Sequence, residues 1–79
     1  MAYGNLVETL VKNVVEFPDH VEISEELDGT TRTFFIRVND EDVGKIIGKS
    51  GRVVSAIRCV VSAVAARERE RAFVKIVTD

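Results

Sequence analysis

The chain has no tryptophan, one proline, one cysteine and one histidine among its 79 residues. Each scarcity removes a class of protein. A lone Cys59 can form no internal disulfide, and with only His20 for company it cannot build the usual four-ligand zinc site. Nor does it have a neighbouring base to make it a nucleophile. Flanked by Arg58, Val60 and Val61, it reads as a small apolar residue inside a helix. So little proline and only five glycines, beside 46% hydrophobic residues, argue for a folded chain rather than a disordered one. No apolar run reaches the roughly 18 residues of a membrane span. The start, Met1-Ala2-Tyr3-Gly4-Asn5, lacks the basic segment of a secretory leader. The expectation is a cytoplasmic protein, one domain over residues 1–79, near the lower size limit for a core without staples.

The net charge of −2 hides an asymmetry. Residues 1–42 hold three basic against ten acidic residues, a balance of −7; residues 43–79 hold eight against three, a balance of +5. A basic half attracts phosphate even when the whole molecule is mildly acidic, and the attraction weakens with salt.

Leu6, Val7, Leu10, Val11, Val14 and Val15 recur at helical spacing, so a first amphipathic helix is expected, capped by Asn5 and closed by Pro18. Val21 and Ile23 alternate with polar neighbours over 20–27, and Asp28-Gly29 marks a tight turn. Thr31 to Val38 follows as a second strand, with Phe34, Ile36 and Val38 on one face. These two strands should form an antiparallel hairpin. Asn39 can cap a short helix carrying Val43, Ile46 and Ile47, which Gly48 would end in a left-handed conformation. After Gly51 a long helix is expected to about Glu70, with an apolar stripe of Val53, Val54, Ile57, Val60, Val61 and Val64. Its face of Ser55, Ala56, Cys59, Ser62, Ala63 and Ala66 suits close packing, inside the monomer or against a second subunit. Ala72 to Thr78 alternates as a last strand. The sum is an α+β domain: three strands in one sheet, helices on one face.

Residues 44–52, Gly-Lys-Ile-Ile-Gly-Lys-Ser-Gly-Arg, carry the functional signal. Gly48 and Gly51 enclose Lys49-Ser50. Without a Cβ, a glycine lets another backbone come close, and the nearby cations suggest a backbone bearing phosphates. A nucleotide P-loop needs four residues between its first glycine and the Gly-Lys pair, whereas Gly44 and Gly48 enclose three. A loop for RNA or single-stranded DNA fits better. It would use Gly48, Lys49, Ser50, Gly51 and Arg52, with Lys45 adding charge and Ile47 and Val54 flanking. No aromatic lies near, so weak sequence preference is expected. Ser50 has no basic partner nearby, and the carboxylates read as caps and solvated surface; no enzymatic role and no cofactor are expected.

This run closely resembles the signature of KH (K-homology) RNA-binding domains, an aliphatic-Ile-Gly-x-x-Gly loop. The element order resembles the bacterial type II arrangement, α-β-β-α-(GxxG loop)-α-β. Together with the continuation Val53-Val54-Ser55-Ala56-Ile57-Arg58, the chain resembles the KhpA family of small single-domain bacterial KH proteins over nearly its full length. The resemblance implies a clamp on about four nucleotides of single-stranded RNA at Gly48, Lys49, Ser50 and Gly51. It also implies RNA chaperoning or post-transcriptional regulation, tied to cell elongation and division. Homodimers are implied too, as is pairing with a larger KH protein of the KhpB (Jag) type. The alternative reading is a protein-interaction module that keeps the fold with little RNA affinity of its own.

Overall fold

The computed structural model describes residues 3–78, and of residues 49 and 50 the backbone. Helix α1 (Gly4–Lys12) turns Val7 and Val11 fully inward, leaving Leu6 and Leu10 half-buried at its flanks. It starts after Tyr3 rather than at Asn5, with no side-chain cap, and it stops well before Pro18. The early stop has a cause in α2 (Asp40–Arg67): the carboxylate of Asp42 accepts the backbone N–H groups of Glu16 at 2.9 Å and Phe17 at 3.1 Å. Those amides have left the helical ladder for a charged acceptor. Pro18 then opens a single 3₁₀ turn, Pro18–His20, so the first strand begins two residues later than its alternation suggests.

Strands β1 (Glu22–Asp28) and β2 (Thr31–Arg37) form the expected antiparallel hairpin about Gly29, whose φ of +63° suits the turn. Strand β3 (Arg71–Val77) pairs with β2 in parallel, giving the order β1-β2-β3. Register fixes the two faces. Ile23, Ile36 and Ile76 form one inward row, and Glu25, Phe34 and Val74 another. The core lies between this face and the helices. Phe34, Ile36, Val7, Val11, Ile46 and Val61 are fully enclosed, each worth about 1.5–3 kcal/mol of burial.

Asn39 caps α2 as expected, its side-chain oxygen accepting the Glu41 N–H at 2.9 Å. The helix spends Ile46, Val54, Ile57, Val61 and Ala65 on the core. Its small face goes elsewhere: Ser55, Ala56, Cys59, Ser62, Ala63 and Ala66 are all exposed, so neither internal packing nor a buried thiol is found there. The helix ends at Arg67, three residues short of Glu70. Arg69, at φ +59°, occupies the left-handed position, while Arg69 N–H reaches Ala66 O and Glu70 N–H reaches Ala65 O. This pair of bonds is the Schellman closure, made here without glycine.

Candidate nucleic-acid interface

The glycine run sits inside α2. Helical bonding is continuous from Asp40 to Arg67, so the expected four-residue loop between two helix ends is replaced by a kink. Gly48 keeps an ordinary φ; the left-handed residue is Gly51, at φ +68°. That φ departs from helical values, so it marks the point that divides the continuous α2 into a first arm, 40–50, and a second, 52–67. With α1 these make three helices over one face of the sheet.

The two glycines differ in what surrounds them. A Cβ on Gly51 would meet Val54 Cγ1 at 3.7 Å, an ordinary contact, so backbone conformation rather than space favours glycine there. Among the described residues, a Cβ on Gly48 would meet nothing within 4 Å. Gly48 faces open space.

Around the kink the sequence candidates take distinct places. Ile47 is 45% exposed and Arg52 is exposed. Lys45 is exposed and ion-paired with Glu16, the residue whose N–H is held by Asp42. Val54, expected both in the apolar stripe and flanking the loop, is 7% exposed: it belongs to the core and supports the kink from beneath. The side chains of Lys49 and Ser50 lie outside the described residues.

One residue the sequence did not single out lies on the same side. Arg58 stands seven positions, about two helical turns, beyond Gly51. Its Nε and Nη2 donate to the carbonyl of Val74 at 3.2 and 3.1 Å, on the free edge of β3. Ser62, Phe73 and Lys75 complete a shallow groove between the second arm and that edge. Spacing from Gly51 was the available signal, and only the parallel placement of β3 gives it meaning. On the opposite flank of the second arm, Leu10, Val14, Arg52, Val53, Ala56 and Val60 line an apolar groove against α1. Among the described residues no helix is long and apolar enough to cross a membrane.

A three-stranded sheet under three helices, two of them joined at a glycine kink, is the arrangement of a KH domain. The family model described as KhpA/KhpB, KH domain, matches residues 4–76, and the chain belongs to this family. The RNA-binding protein KhpA of Clostridium acetobutylicum is 42% identical over 72 residues, covering 91% of this chain and 96% of that one. Its counterpart of the same name in Caldanaerobacter subterraneus subsp. tengcongensis is 42% identical over 74 residues, or 94% and 99% of the two chains. The Listeria monocytogenes protein, again named RNA-binding protein KhpA, is 36% identical over 72 residues, or 91% and 95%.

Proposed function

We propose that this chain binds single-stranded RNA without catalysis, seating the sugar-phosphate backbone on the kink formed by Gly48, Lys49, Ser50 and Gly51. The observation that carries the reading is the open space at Gly48. Folding asks nothing of glycine there, whereas a close-approaching backbone does. Relatives named as RNA-binding proteins, aligned over nearly their whole length, support it. Arg52 and Lys45 supply exposed charge, Lys45 exchanging its Glu16 partner for phosphate. Arg58 extends the footprint toward β3, where backbone and guanidinium groups meet bases rather than phosphates. The charge on this half gives modest, salt-sensitive binding suited to a chaperone or post-transcriptional regulator.

The test is the double substitution Lys49→Asp with Ser50→Asp. Fluorescence anisotropy with labelled uridine oligomers at low salt should show at least about a tenfold loss, since two phosphate contacts become repulsive. Unchanged affinity in a variant with unchanged melting temperature refutes the assignment.

A second reading, self-association, rests on the apolar groove beside α1. Val14 is 43% exposed and Val60 41%, and both stand next to the exposed small-residue face. Such a patch on a small domain is an interaction surface. Because Arg52 lines it too, a second subunit there and RNA at the kink would compete. Sedimentation of the wild type against Val60→Asp decides this. A concentration-dependent dimer lost in the variant supports the reading, and a wild type that remains monomeric ends it.

A further inference from the structure

The helices cover one face of the sheet; the other face has a composition that the kink does not explain. Its outward positions are Thr31, Thr33, Phe35 and Arg37 on β2, and Arg71, Phe73, Lys75 and Val77 on β3. Phe73 is 49% exposed and Phe35 half-buried. In the parallel register Thr33 lies beside Phe73 and Phe35 beside Lys75, so the two rings are diagonal neighbours on adjacent strands. Strand spacing and rise place their Cα atoms about 8 Å apart. Among the described residues the two rings make no ring contact with each other, so each offers a face to a separate flat partner. Arg71 and Lys75, both exposed, bracket Phe73 on its own strand. The acidic residues keep to the far strand, with Glu22, Glu26 and Asp28 exposed on β1.

Aromatic rings beside a cationic track are what an unpaired nucleic-acid strand requires, because every base has a π-face and every linkage a charge. We propose that Phe73 and Phe35 form a second platform on which two bases of the same single-stranded RNA stack, beyond the stretch held at the kink. The route is continuous. The groove of Arg58 and Ser62 is closed on its other side by Phe73 and Lys75, so a strand leaving the second arm crosses the β3 edge directly onto the open face. The acidic β1 edge then bounds it. A second copy of the chain fits the face less well: three strands of seven residues present about 300 Å² by strand spacing and rise, well under the roughly 800 Å² per partner of a standard interface.

The inference rests on RNA binding at the kink, and length dependence separates the two. Oligouridines of four and about twelve nucleotides are compared by anisotropy, spanning the site sizes of single-strand binders. Phe35→Ala, outside the Arg58 groove, should leave four-nucleotide affinity unchanged and weaken the longer oligomer about fivefold or more, and adding Phe73→Ala should weaken the longer oligomer by a similar further factor. Phe73→Trp places a single tryptophan in a chain that has none, and its fluorescence should quench with the longer oligomer only. Equal affinity of wild type and double alanine variant for the longer oligomer overturns the proposal. So does a dimer lost in the double variant while RNA binding persists, which assigns the face to a second copy. Retention of four-nucleotide binding in the Lys49→Asp, Ser50→Asp variant refutes the kink site instead, and leaves the quenching readout of the sheet independent of it.

Discussion

Arg32 and Glu70 stand 38 residues apart in sequence and share two hydrogen bonds, Nε to Oε1 at 2.9 Å and Nη2 to Oε2 at 3.1 Å. The same guanidinium reaches Glu25 at 2.6 Å and lies 5.3 Å from the centre of the Tyr3 ring. One arginine on β2 thus ties together β1, the start of the chain and the turn that closes α2.

Acid should loosen this clasp. The Arg32 hydrogen bonds, then that of Tyr3, lower the Glu70 carboxyl from 4.5 to about 2. A depressed carboxyl contributes its full stability above pH 4.5 and loses it as pH falls toward 2. The wild-type melting temperature should therefore drop through that window. Glu70→Gln should be less stable at neutral pH and show a flatter acid limb, as scanning calorimetry across the range would read.

Alkali probes the same cluster from the other side. Tyr3, the only tyrosine, is pushed up from 10 to about 12, by burial first and then by its 2.7 Å hydrogen bond to Glu70. A raised phenol contributes fully below pH 10, and the contribution is lost as pH rises through about 12. Phenolate absorbance should appear only at that higher pH. In Glu70→Gln the midpoint should move down toward 10.

The two glycines of the kink should separate folding from binding. Gly51→Ala puts a Cβ on a left-handed residue and should cost about 1–2 kcal/mol in urea unfolding. Gly48→Ala removes a helix-interior glycine in open space and should be neutral or stabilising by up to about 1 kcal/mol. Yet Gly48→Ala should weaken RNA, because its methyl stands where the strand approaches. A Gly48 variant more stable and equally active would contradict the seat proposed there.

Asp42 is fully buried with two backbone donors on its carboxylate. Asp42→Ala leaves both amides without an acceptor and should cost about 1–3 kcal/mol for each group stranded. Asp42→Asn retains one acceptor oxygen and should fall between. Hydrogen exchange at Glu16 and Phe17 reports the loss directly.

Much of this was legible in the residues. Alternation in Thr31 to Val38 correctly separated Phe34 and Ile36 from Phe35, because strand geometry leaves only two faces. The stripe Val54, Ile57, Val61 placed the second arm on the core for the corresponding helical reason. What escaped were decisions made by distant partners. Asp42 is an ordinary first-turn acid in sequence, and nothing local says that it will shorten another helix from 26 residues away. Arg69 closes α2 in a conformation that glycine normally signals, so the end at Arg67 carried no mark. At the kink, the residues pointed to Gly48 as the left-handed cap, and Gly51 takes that conformation instead. Which one turns left-handed depends on where the helical ladder gives way, and spacing does not encode that.

The parallel pairing of β2 with β3 also orders events in time. Thr31 meets Arg71, its partner 40 positions later, with the whole of α2 made in between. The hairpin β1–β2 needs only a turn and closes early, whereas β3 must await a long loop closure. During synthesis, which proceeds N-terminus first, β2 therefore holds an unpaired edge until residues 71–77 emerge. Arg32 sits on that waiting strand, and Glu70 arrives one residue ahead of β3. Their ion pair stands beside the first rungs of the β2–β3 ladder, Thr31 with Arg71 and Arg32 with Ala72.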